Sequence, residues 1–149
     1  MRNVLIIEDD SFKSDTLTAL VESAIPNVRM RNVSDVVTAV KTVNQDEFDL
    51  IIIDMALPSH PIVSGGGAPL SMLTGGLEVL LELNSLQRND RCIIVTQYPD
   101  IEIAGKFFPL IRAADAIKEY FSCEVIACLL YTEDSTEWKD SLSKVLRTL

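Results

Sequence analysis

The chain is poor in the groups that several common functions require. It has one histidine, His60, in a proline-flanked stretch with no cysteine or second histidine beside it. A Ser/His/Asp triad, a Cys/His zinc site and a histidine phosphotransfer helix each need an imidazole among particular neighbours, so none is indicated. Positive charge is scarce too. Thirteen Lys and Arg stand against 22 Asp and Glu, a net charge of −9 with no local basic patch, which argues against binding nucleic acid. The three cysteines, Cys92, Cys123 and Cys128, are odd in number and lie in or beside apolar stretches. That suits buried reduced thiols in a cytoplasmic protein better than a disulfide framework. No apolar run reaches the ~18 residues that a membrane span needs, and Met1-Arg2-Asn3 leads straight into a strand pattern rather than a secretory signal. Although glycines cluster at Gly65-Gly66-Gly67, no Gly-Lys-Ser/Thr follows, which excludes a Walker loop. The expectation is a soluble, cytoplasmic protein without membrane or nucleic-acid partners.

The chain does have buried strands that end in acid. Leu50-Ile51-Ile52-Ile53 is an unbroken apolar run that meets Asp54 and is stopped by Pro58. A strand so apolar is covered on both faces, so Asp54 falls where the sheet meets solvent. Val4-Leu5-Ile6-Ile7 repeats the design and runs into Glu8-Asp9-Asp10. Ligands of open α/β sheets bind outside the carboxyl ends of the strands, and two acidic ends facing one crevice suit a hard cation.

Strand and helix patterns alternate along the remainder. Ser11 to Ala24 has helical spacing in Phe12, Thr16, Ala19, Leu20 and Ala24, with Asp10 or Ser11 as N-cap and Pro26 as stop. Val28 and Met30 alternate with Arg29 and Arg31, as on a half-exposed edge strand. Ser34 is a candidate cap for a helix with Val36, Val37, Val40 and Val43 on its apolar stripe. A Gly/Pro-rich insert at about 59–75 reads as loop, with roles as a solvated linker, a lid over Asp54 or a partner-binding loop all open. Gly75 to Leu83 then reads as a helix buried through Leu77, Leu80, Leu81 and Leu83, and Cys92 to Val95 as a strand ending at Thr96. About 100–121 reads as an enlarged helical segment, broken or kinked at Pro109. Val125 to Tyr131 is the best fifth strand, and a last amphipathic helix places Trp138, Leu142, Val145, Leu146 and Leu149 inward. At 149 residues this is one domain, a doubly wound α/β unit with a five-stranded parallel sheet and helices on both faces.

Glu8 and Asp9 after the first strand, Asp54 closing the third and Thr96 closing the fourth resemble the receiver domain of two-component response regulators. The resemblance implies a flavodoxin-like sheet in the order 2-1-3-4-5. It implies that Asp54 is the phosphoacceptor and that Mg²⁺ is held by Asp9, Asp54 and the Ala56 backbone carbonyl, with Glu8 acting through water. Thr96 would contact the phosphoryl group. The implied partners are a histidine kinase or phosphotransfer protein and a downstream protein.

The chain departs from this pattern at the fifth strand, where receivers carry a Lys, commonly followed by Pro. The matching positions here are Tyr131 and Thr132, and neither supplies an ammonium. The aromatic switch position becomes Cys128. An alternative register, Ala113 to Lys118, would supply a lysine but is too thinly apolar for a buried strand and leaves Val125 to Tyr131 unplaced. The leading reading is a stand-alone receiver phosphorylated on Asp54. The second is a pseudo-receiver adaptor that works without phosphorylation, and the third, a small hydrolase using Asp54, lacks room for a substrate cap.

Overall fold

Two hydrophobic layers, one on each face of a central sheet, follow directly from the period-2 alternation of the strands. The structure is a computed structural model that describes residues 1–61, 71–72 and 75–149, with backbone alone at 71 and 72. Its elements are β1 (Arg2–Ile7), α1 (Ser11–Ala24), β2 (Val28–Val33), α2 (Val36–Gln45), β3 (Leu50–Ile53), β4 (Leu57–Pro58), β5 (Ser71–Met72) and α3 (Gly75–Ser85). They continue as β6 (Cys92–Thr96), β7 (Asp100–Ile103), β8 (Lys106–Pro109), α4 (Leu110–Phe121), β9 (Val125–Leu130) and α5 (Glu137–Arg147). The main sheet runs β2-β1-β3-β6-β9 with every neighbouring pair parallel. Counting its own strands alone, that is the expected order 2-1-3-4-5.

Leu5, Ile7, Ile51, Ile53 and Ile94 face α2, α3 and α4, while Val4, Ile6, Ile52, Ile93 and Val95 face α1 and α5. β1 and β3 are therefore buried on both sides, each large side chain contributing roughly 1.5–3 kcal/mol. Truncating one of them, such as Ile52→Ala, would cost about 2–5 kcal/mol. β2 is a half-exposed edge, as its Val/Arg alternation requires. Among the described residues, no helix is long and apolar enough to cross a membrane.

Several local expectations are corrected. The inner face of α1 carries Lys13, Ser14, Leu17 and Val21, and Phe12 points outward at 75% exposure. Asp35 rather than Ser34 caps α2, its carboxylate accepting from the Thr38 N–H at 2.8 Å. In that helix Val37 is exposed, and Ala39 and Thr42 lie inside with Val36 and Val43. In α3, Leu81 is exposed while Val79 is buried.

The largest correction lies in 100–121, whose first half is a hairpin. Asp100-Ile101-Glu102-Ile103 alternates strictly, burying Ile101 and Ile103, and β7 pairs antiparallel with β8 across Ala104-Gly105. Both turn residues have positive φ, +53° and +80°, the twist that joins adjacent antiparallel strands. Pro109 breaks no helix, because it stands as the N-cap of α4, where its missing N–H costs nothing. Lys118 is thus an exposed helical residue, which removes the alternative strand register, and β9 is the fifth sheet strand. Most of the Gly/Pro-rich insert, 62–70 and 73–74, lies outside the described residues.

Candidate functional site

Strand register brings the acidic residues together. Ile7 pairs with Ile53, and Ile53 with Ile94, so β1 and β3 finish level while β6 runs two residues further, to Thr96. The next peptide is tied in by the Asp54 N–H donating to the Ile7 carbonyl at 3.0 Å, and the Glu8 N–H donates to Val33 at 3.0 Å. Carboxylate oxygens of Glu8, Asp9 and Asp54 consequently lie within 4.8 Å of one another, with Glu8 and Asp54 buried and Asp9 exposed. Asp10 does the capping instead, accepting from the Lys13 N–H at 2.9 Å, and its own N–H donates to Glu8 Oε2 at 3.1 Å. Capping therefore occupies Asp10 and leaves the other three acids for the crevice.

Asp54 is held from both sides of its carboxylate. Oδ1 accepts the Ala56 N–H at 3.3 Å, and Oδ2 lies 3.3 Å from the Lys13 ammonium. Thr96 is fully buried at the end of β6, its hydroxyl oxygen accepting from the Tyr98 N–H at 3.4 Å. Tyr131 follows β9 directly and donates its N–H to the Thr96 carbonyl at 2.8 Å. Cys128 pairs with Ile94 and is half-buried.

The sequence reading missed Lys13. Its Nζ reaches Glu8 Oε1 at 2.5 Å and donates to the Val95 carbonyl at 2.9 Å. It also sits 4.9 Å from the centre of the Tyr131 ring. A lysine in the first turn of a helix opposes the macrodipole by about 0.3–1 kcal/mol. The buried Asp54 carboxylate outweighs that, since leaving such a charge without its partner costs about 3–5 kcal/mol. The signal was in the spacing: Lys13, Leu17, Val21 and Ile25 recur every four residues, and reading Phe12 as core shifted the inner face by one position. Side chains on a helix lean toward its N-terminus, which carries Lys13 back over the strand ends.

Burial, followed by the charge of Asp54, pushes the Glu8 carboxyl up to about 8, and the Lys13 ammonium opposes this without cancelling it. Despite its ionic contact, Glu8 Oε1 makes no aligned hydrogen bond and is left as a buried, under-satisfied acceptor. An all-oxygen donor set with such an acceptor fits a hard divalent cation that keeps part of its water shell. All three thiols are free, with Cys92 and Cys123 buried. Burial raises each of them, Cys123 to about 11 and Cys128 to about 12.

Level strand ends, a doubly wound sheet and this acid cluster define a receiver, and the chain belongs to the response regulator receiver domain family, whose sequence profile matches residues 4–126. Over 148 residues it is 36% identical to the Detocs response regulatory protein DtcB of Vibrio alginolyticus, covering 97% of this chain and 99% of that protein. The fold is shared with a CheY-like receiver domain protein from Methanospirillum hungatei at a TM-score of 0.64 and 15% identity, covering 99% of this chain and 93% of that one. It is shared as well with the response regulator TrrA of Thermotoga maritima, solved in complex with Mg(2+)-BeF. That TM-score is 0.60 at 16% identity, with 97% and 99% coverage.

Proposed function

We propose that this receiver accepts a phosphoryl group on Asp54 in a Mg²⁺-dependent phosphorelay and acts through contacts with other proteins. The observation that carries the reading is the meeting of Glu8, Asp9 and Asp54 at the level ends of β1 and β3. Asp9 and Asp54 would hold the ion directly, the Ala56 carbonyl would supply a further oxygen, and Glu8 would act through water. When bound, Mg²⁺ neutralises negative charge on the phosphoryl oxygens.

Asp54 is the nucleophile. One carboxylate oxygen attacks phosphorus, the new O–P bond forms, and the bond from phosphorus to the donor breaks with its electron pair leaving on the donor. The implied donor is a phosphohistidine of a kinase or phosphotransfer protein, whose imidazole regains a proton from water. The Ala56 N–H orients Oδ1, so the carboxylate is held in place before the donor arrives. Thr96 accepts one hydrogen bond from Tyr98 and keeps its own hydroxyl hydrogen for a phosphoryl oxygen.

Thermal melts test the ion site. At ten times its dissociation constant, Mg²⁺ stabilises by about 1.4 kcal/mol, a rise of roughly 3–6 °C for a chain of this size. Wild type should show this rise and Asp9→Asn should lose most of it. Equal responses in the two proteins would remove Asp9 from the site, and no response in either would favour an adaptor that works without phosphorylation.

A further inference from the structure

Lys13 is the buried ammonium closest to the chemistry, and the site has a further gap at the end of β9 that it fills. Its Nζ is 3.3 Å from Asp54 Oδ2, and its side chain is 5% exposed. Glu8 and the Val95 carbonyl fix the other sides of the ammonium, so its direction toward Asp54 does not depend on solvent. The residue that follows β9 is Tyr131, which offers no positive charge, and its ring instead forms the wall beneath Lys13.

We propose that Lys13, reaching in from α1, is the cationic residue that binds the phosphoryl group on Asp54, in place of a lysine at the end of the fifth sheet strand. This rests on the phosphorylation of Asp54 proposed above. Converting the Asp54 carboxylate to an acyl phosphate adds negative charge and three oxygens within reach of an ammonium that already contacts the carboxylate. The charge-assisted hydrogen bond to Asp54 Oδ2 passes to a phosphoryl oxygen, with no proton leaving Lys13. Because the cation now comes from α1, its shift is felt by Tyr131, and the Tyr131 ring lies 5.0 Å from that of Trp138 in α5. Trp138 is the one tryptophan of the chain, so its fluorescence reports the event.

The test uses the full chain and two readouts that do not pass through Tyr131: intact mass after acetyl phosphate with Mg²⁺, and fluorine NMR of bound beryllofluoride during its titration in Mg²⁺, with Trp138 fluorescence followed beside them in the variants that keep Tyr131. Wild type is compared with Lys13→Met, Lys13→Arg and the double variant Lys13→Met/Tyr131→Lys. Circular dichroism identifies the folded variants. Loss of one charge-assisted hydrogen bond weakens beryllofluoride binding about tenfold to a hundredfold in Lys13→Met. The double variant, which returns an ammonium from β9, should recover most of that affinity, an outcome that a purely structural role for Lys13 would not produce. If Lys13→Met does not fold, the folded double variant and Lys13→Arg carry the test, and failure of the double variant to bind beryllofluoride overturns the proposal. Wild-type behaviour of Lys13→Met overturns it while leaving Asp54 phosphorylation intact. Absence of any adduct on wild type overturns both.

Discussion

Replacing Gly76 by alanine probes how tightly α3 is seated against Asp54, the proposed phosphoacceptor. Gly76 is the second residue of α3, and its N–H donates to the Met55 carbonyl at 2.9 Å. A Cβ there would stand 2.6 Å from the Asp54 carbonyl oxygen, 2.9 Å from Met55 Sδ and 3.0 Å from Met55 Cα. The sulfur can swing aside, but the Asp54 carbonyl is backbone. Reaching ordinary contact at 3.4 Å from 2.6 Å requires α3 and the β3 end to part by about 0.8 Å. Alanine is the better helix former by about 0.8–1 kcal/mol, yet overpacking costs about 1–3 kcal/mol, and a clash with backbone that cannot swing aside belongs in the upper part of that range, about 2–3 kcal/mol. The steric effect wins. A net loss of about 1–2 kcal/mol lowers the melting temperature by roughly 2–8 °C. The displaced Asp54 should also weaken the Mg²⁺-induced shift. Gly105→Ala is the control, because nothing lies within 4 Å of its Cβ and only its φ of +80° is strained. It should lose about 1–2 kcal/mol of stability and keep the full Mg²⁺ response. Urea melts of both variants with and without Mg²⁺ decide the matter. A Gly76→Ala protein as stable as wild type, with an unchanged Mg²⁺ shift, would refute the reasoning.

Two other outcomes follow from the burial of titratable groups. Glu8 keeps its proton up to about pH 8 in the folded protein, whereas its ordinary value is 4.5. Between those values the folded state binds more protons than the unfolded one, so the stability that Glu8 contributes is full below about pH 4.5 and is lost as pH rises through 8. Without Mg²⁺, wild type should lose on the order of a few kcal/mol relative to Glu8→Gln across that window, and parallel pH profiles in urea melts would contradict it. For the thiols, Cys92 and Cys123 should resist a thiol reagent in native buffer and react in denaturant, with half-buried Cys128 the first to label. Rapid native labelling of all three would show that these strands open far more readily than their packing implies.

Much of this arrangement was legible from apolar runs and from what stops them. Leu50 to Ile53 and Val4 to Ile7 identified the central strands, and because strands in a doubly wound sheet finish at one edge, Glu8, Asp9 and Asp54 had to converge. Val125 to Leu130 was read correctly as the fifth sheet strand against a competing segment with a better-placed lysine, since burial demands apolar length. What escaped notice depended on tertiary choices. Lys13 drew no notice in the sequence, since lysine is rarely buried unless paired, and only the crevice it enters supplies the partners for its ammonium. The β7–β8 hairpin was hidden because Ile103, Phe107, Leu110 and Ala114 stand three or four apart and fit helical spacing, which masked the alternation of Ile101 and Ile103, and Pro109 was read as a break within a helix rather than as its first cap.

The central claim, that Asp54 accepts a phosphoryl group with Mg²⁺, is tested most directly by intact mass spectrometry of the full chain after incubation with acetyl phosphate. Wild type with Mg²⁺ should gain the mass of one phosphoryl group, and hydroxylamine, which cleaves acyl phosphates, should remove it. Asp54→Ala, or wild type with the metal chelated, should gain none. An adduct of equal yield on Asp54→Ala, or no adduct on wild type at any Mg²⁺ concentration, would contradict the account.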